Sequence, residues 1–138
     1  MSNVEGFLGR RVARSPGTVR LALGDLLVIL GFLIMGELRH GINPVESPLV
    51  VADTAAPFLA GWVVAALAVG AYAPGATRSV RTAVVRVGGS WVLAAGIGLA
   101  LRATPYFHGD SPLSFALVVT GIGVAFLAAW RATVAALG

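Results

Sequence analysis

Six side chains in this 138-residue sequence have types and positions that could do chemistry: Asp25, Glu37, Arg39, His40, Asp53 and Arg102. Each lies inside or beside a long apolar run. A carboxylate within an apolar run costs about 2.5 to 3.5 kcal/mol at the bilayer centre on insertion scales, which makes it a functional candidate by default. Asp25 sits about one turn inside the first run, where it could belong to a proton or ion path or pair with Arg86, Arg20 or Arg81. Glu37 and His40 are three residues apart and share a helix face. With Arg39, Asp53, Arg102, His108 and Asp110 expected at similar depth, they could line an aqueous vestibule with a histidine able to pass a proton. The competing reading is a set of ordinary exit-loop residues, solvated and joined by surface ion pairs worth under about 1 kcal/mol.

Other chemistries find less support. His40 and His108 could ligate haem or, with Glu37 and Asp110, a divalent metal. Both histidines sit in or beside loops, so the sequence points to no metal and no cofactor. Ser90, Ser114 and Thr120 have no His or Asp at a spacing that would activate a nucleophile, and an enzyme is not expected. Cysteine is absent, which excludes disulfides and thiolate chemistry.

The elements that must position these groups are membrane spans. Only 12% of residues are charged and 57% are hydrophobic, with a mean hydropathy of +0.88. A small soluble domain could not hide so much apolar surface. Four stretches approach the roughly 20 residues that cross about 30 Å of hydrocarbon. They are expected as helices over about 19–38, 54–73, 80–101 and 112–131, with residues 1–17 as a flexible basic arm held near anionic headgroups. The fold class is therefore an all-α integral membrane protein, a four-helix transmembrane bundle in residues 18–138. The first run is too long for a secretory signal, and Gly36-Glu37-Leu38-Arg39-His40 is no cleavage site.

The basic side of the formal net charge of +4 and of the pI near 11.1 is arginine, with no lysine in the chain. The arginines cluster between apolar runs and read as topology signals, with no nucleic-acid partner implied. Arg10, Arg11, Arg14, Arg20, Arg78, Arg81, Arg86 and Arg131 flank one side; Arg39 and Arg102 flank the other. This asymmetry puts both termini on the cytoplasmic side of the cell membrane. The two outer connections also echo one another. Leu38-Arg39 is followed by His40, Pro44 and Glu46-Ser47-Pro48-Leu49; Leu101-Arg102 is followed by Pro105, His108 and Asp110-Ser111-Pro112-Leu113. Such an echo fits a duplicated two-helix hairpin, or a chance likeness of two helix starts. On the duplication reading the second helix begins at Pro48 and bends at Pro57.

Gly61 with Ala65, Ala94 with Gly98, and Gly121 with Ala125 and Ala129 put small residues at four-residue spacing, which allows close helix approach in lipid, within one bundle or between copies. Trp62, Trp91, Trp130, Tyr72 and Tyr106 read as packing or interfacial aromatics.

Several of these segments form a recognisable set. Asp25, Gly36 to Gly41, Thr54 to Trp62, Trp91, Gly96 to Arg102 and Ala129-Trp130-Arg131 together resemble the prokaryotic, haloarchaeal and actinobacterial membrane family called domain of unknown function 3054. The resemblance covers about residues 20 to 132. Many members have Gly where this chain has Ala129, and Arg where it has Glu37. The resemblance implies a fold and a membrane location and brings no established activity. The leading functional expectation is a small transporter or channel-like protein working as a homo-oligomer in the lipid bilayer. The alternative is a non-catalytic structural or accessory subunit that binds lipid or another membrane protein, and a redox or haem protein comes third.

Overall fold

A computed structural model describes residues 2–104 and 113–138, with side chains from residue 6 onward. Five helices follow in order: α1 (Ser2–Arg11), α2 (Pro16–Arg39), α3 (Pro48–Val69), α4 (Val80–Arg102) and α5 (Leu113–Leu137). The last four are long and apolar enough to cross a membrane. They form the expected all-α bundle. Around the ring α3 packs on α4 and α4 on α5 most extensively, while α2 closes it with thinner contacts to α5 and α3.

Local signals explain where the helices begin and end. Ser15 caps α2 by accepting the Thr18 N–H, and Pro16 opens it. Ser79 caps α4 in the same way through the Thr82 N–H. Helix α3 starts at Pro48, six residues before the 54 expected from hydropathy alone, because Pro is preorganised for the first helical turn. It stays helical through Pro57, which is fully buried. It also ends at Val69, before the expected 73. Gly70 takes the left-handed conformation (φ 89°), and the N–H groups of Gly70 and Ala71 both donate to the Ala66 carbonyl. That early stop frees residues 70–73 to bend across the end of the bundle.

Residues expected as a flexible arm are helical in α1. The chain after α1 is tied to the α3–α4 connection, where the Ala13 N–H donates to the Tyr72 carbonyl over 2.7 Å. Helix α5 runs to Leu137, more than a turn past the expected end near 131. The start expected at Ser111-Pro112 lies outside the described residues, as do His108 and Asp110, so only one of the two echoing connections is described.

The core is aromatic and close-packed. Phe58, Trp62 and Trp91 are buried, and the Trp91 ring meets Phe32 edge-on with centroids 5.4 Å apart and Phe58 in a stacked arrangement at 6.1 Å. Glycines make room for these rings. A Cβ on Gly123 would collide with the Trp91 indole, and one on Gly98 would press into Phe58 at 2.5 Å. The Trp91 indole N–H thereby reaches the Val119 carbonyl of α5 at 3.1 Å. Outside, large apolar side chains face away from the bundle on every long helix, including Leu27, Val63, Val85 and Leu117. Charged Asp25, Glu37 and Arg131 are buried instead. This inversion suits a hydrocarbon solvent, where apolar surface is free to face out and charge is expensive unless paired within the protein.

Candidate functional site

The start of α2, the α3–α4 connection and the end of α5 meet at one end of the bundle, and Asp25 lies at their junction. Its partner is Arg131 of α5, which corrects the expected pairing with Arg86, Arg20 or Arg81. Both side chains are fully buried. The pair is bidentate: Arg131 Nε donates to Asp25 Oδ1 at 3.0 Å and Nη2 to Oδ2 at 2.7 Å. The third guanidinium nitrogen, Nη1, donates to the Ala71 carbonyl at 2.8 Å. The planar guanidinium thus satisfies a carboxylate and a loop carbonyl at once, which a lysine ammonium could not do in this geometry.

Tyr72 completes the network. Its hydroxyl donates to Asp25 Oδ2 at 2.6 Å and accepts from the Trp62 indole N–H at 3.0 Å, and Arg131 lies 5.2 Å over its ring. Burial pushes the Tyr72 phenol above its ordinary range, and the Asp25 charge and hydrogen bond push it further the same way. The hydroxyl therefore stays protonated and acts as a donor to the carboxylate. Arg86, one of the expected partners of Asp25, donates instead to the Gly70 carbonyl at 3.2 Å. Four segments are stitched together by one carboxylate, one guanidinium, one phenol and one indole.

The expected polar cluster at the opposite end is more dispersed. Glu37 is buried on the inward face of α2, while Arg39 and His40 are exposed. Asp53 and Arg102 are half-buried and both engaged with other groups; the Arg102 guanidinium stacks 4.7 Å over the Phe115 ring. An ion pair between Glu37 and either arginine is not among the contacts that the described residues make. Of the six candidates, Asp25 alone belongs to a tight hydrogen-bonded constellation at the basic end.

Sequence reasoning missed Arg131 and Tyr72. By position Arg131 reads as a boundary charge, because it follows Trp130 near the end of an apolar run. The run resumes with Ala132, Val134, Ala135, Ala136 and Leu137, so this arginine is inside a spanning helix and needs a partner. Asp25, the acid embedded nearest that end, was the available one.

A family model described as "Protein of unknown function (DUF3054)" matches residues 22–134. The chain belongs to this family. Asp25, Trp62, Tyr72 and Arg131 all lie within the matched span, so the network is built wholly from the DUF3054 region, whereas α1 lies outside it. No curated protein and no solved structure matches the chain.

Proposed function

We propose that this DUF3054 protein is a non-catalytic membrane subunit, a rigid four-span platform that associates with lipid and with further membrane protein, itself included. The observation that carries this reading is the state of the interior. The middle of the bundle is filled by Phe32, Phe58, Trp62 and Trp91, and Asp25 has both oxygens occupied by Arg131 and Tyr72. A carboxylate so held is structural, since releasing it would leave a guanidinium unpaired in a buried site. The basic end faces the cytoplasm in this reading. Arg131 drops out of the charge asymmetry because it is neutralised internally, yet the other seven arginines of that side still outnumber Arg39 and Arg102.

One observation favours a small transporter working as a homo-oligomer as the second reading. Asp25 and Glu37 lie on the same buried face of α2, one toward each end, with Ile29, Phe32 and Leu33 between them. A proton carrier would use such a pair, but water would have to cross that apolar plug. Proteoliposomes loaded with a pH-sensitive dye and challenged with proton and ion gradients separate the two. The subunit reading expects flux equal to that of protein-free vesicles. Flux that disappears in Asp25→Asn or Glu37→Gln would overturn it in favour of transport.

A further inference from the structure

Beyond the subunit reading, and resting on it only for the protein's place in the bilayer, two arginines outside the Asp25 network converge on one point. Arg11 ends α1 and Arg86 lies in the second turn of α4. A Cβ placed on Gly70 would stand 3.6 Å from Nη1 of each. Gly70 has no side chain and takes the left-handed conformation (φ 89°) that favours glycine. The two guanidiniums therefore close on the α3–α4 connection from two sides, with the Ala73 Cβ 3.5 Å from the same point. Both are half-buried. Arg86 uses Nη1 for the Gly70 carbonyl, and Arg11 lies 5.9 Å over the Phe7 ring. Among the described residues neither is in an ion pair, and Asp25, which hydrogen-bonds Tyr72 of this loop, is held by Arg131.

We propose that Arg11 and Arg86 form a binding site for the phosphate of an anionic phospholipid headgroup. Two like charges held this close and partly desolvated favour an anion between them. Guanidinium forks suit phosphate oxygens, with bonds of about 2.7 to 2.9 Å, and a tetrahedral phosphate can take one donor from each side. The depth is also right. Gly70 directly follows the last residue of α3, and Arg86 is about 9 Å along α4 at 1.5 Å per residue, a level its long side chain spans by snorkelling to the headgroups. Helix α1 supplies the acyl-side contact, because Phe7 and Leu8 are exposed on a segment whose last turn is Arg10 and Arg11. Exposed apolar side chains next to arginines are how a helix beds into the interface of an anionic leaflet. The apolar partner surface and the charged pair thus match the two parts of one lipid molecule.

The test is lipid titration of the full-length protein in mild detergent, read by native mass spectrometry, with phosphatidylglycerol and phosphatidylcholine added in parallel. One phosphatidylglycerol should be retained per chain with about tenfold preference over phosphatidylcholine. Arg11→Gln, on the peripheral helix, and Arg86→Gln should each remove most of that preference, and Arg86→Lys should keep part of it. Arg78→Gln removes the same charge from an exposed site at the same end and should leave the preference intact. Retention of inorganic phosphate at the expense of phosphatidylglycerol would overturn the lipid assignment in favour of a free anion. Equal retention of the two lipids, or an equal loss in Arg78→Gln and Arg11→Gln, would overturn the site itself and leave only diffuse attraction. None of these outcomes bears on flux, so the site and the subunit reading fail separately.

Discussion

At the residue scale the stability of the bundle should turn on Asp25 and Arg131. Removing one partner of a buried pair costs about 3 to 5 kcal/mol because the other charge is stranded. Asp25→Leu or Arg131→Met should therefore lower the thermal midpoint in detergent sharply. The double variant should recover much of the loss, since two apolar groups of similar size strand no charge; the Tyr72 hydroxyl and Ala71 carbonyl would still lack their partners, at about 1 to 3 kcal/mol each. Equal instability of the double and single variants would mean that the pair does not act as a unit. Arg131→Ala should also be more damaging than Arg102→Ala, since Arg131 is fully buried on its carboxylate and Arg102 is half-buried. Tyr72 gives an independent readout. A phenol whose pKa is raised in the folded state and ordinary, about 10, in the unfolded state adds stability below pH 10 that is lost as pH climbs above it. In a Tyr106→Phe background, leaving Tyr72 as the single tyrosine, the folded protein should show no tyrosinate absorbance between pH 10 and 11, and adding denaturant at that pH should reveal it. Ordinary titration near pH 10 in the folded protein would contradict the buried donor role.

At the element scale, the four apolar helices and the membrane class were legible because they follow from hydropathy runs, which are local. The ends of α3 were less so. Its stop depends on Gly70, ahead of the expected end at 73, and hydropathy does not separate a helical alanine from an alanine in the connection that follows. The Asp25–Arg131 pair joins positions 106 residues apart, and no local pattern encodes such a meeting. A burial rule could have found it, since each of these charges sits inside a span and so requires a partner. The small-residue pattern was legible as a sign of close packing but not in its direction. Gly61 stands against the Ala94 carbonyl and Gly98 against Phe58, so these two serve the α3–α4 contact. Gly123, which belongs to none of those small-residue stripes, admits Trp91. Gly123→Val should thus separate α4 from α5 and break the indole bond to Val119, lowering the thermal midpoint and red-shifting tryptophan emission. Gly121→Val, at a position where a Cβ meets nothing within 4 Å, should do neither. Matching effects of the two substitutions would refute the proposed helix contact.

For the whole molecule the open question is what meets the outward faces, and the same glycine contrast addresses it. On α5, Gly121, Ala125 and Ala129 are all exposed, four residues apart. On α4, Gly88, Val92, Gly96 and Ala100 line a shallow apolar groove with Val124 of α5. In a bilayer these faces lose nothing by meeting lipid, so exposure alone does not demand a protein partner; small residues instead lower the steric barrier to helix contact and let backbones approach closely. A second copy is the expectation, because one slim bundle with a filled interior presents its variation in shape only on the outside. Mass measured in nanodiscs should exceed one 14.1 kDa chain. Gly96→Leu and Gly121→Leu, which fill outward positions without touching the core, should shift the population toward monomer while the thermal midpoint of the isolated bundle holds. A strictly monomeric protein across several lipids would remove self-association and, with it, the oligomeric transporter. An oligomer indifferent to both leucines would place the contact on α2, whose Leu23 and Leu27 are also turned outward.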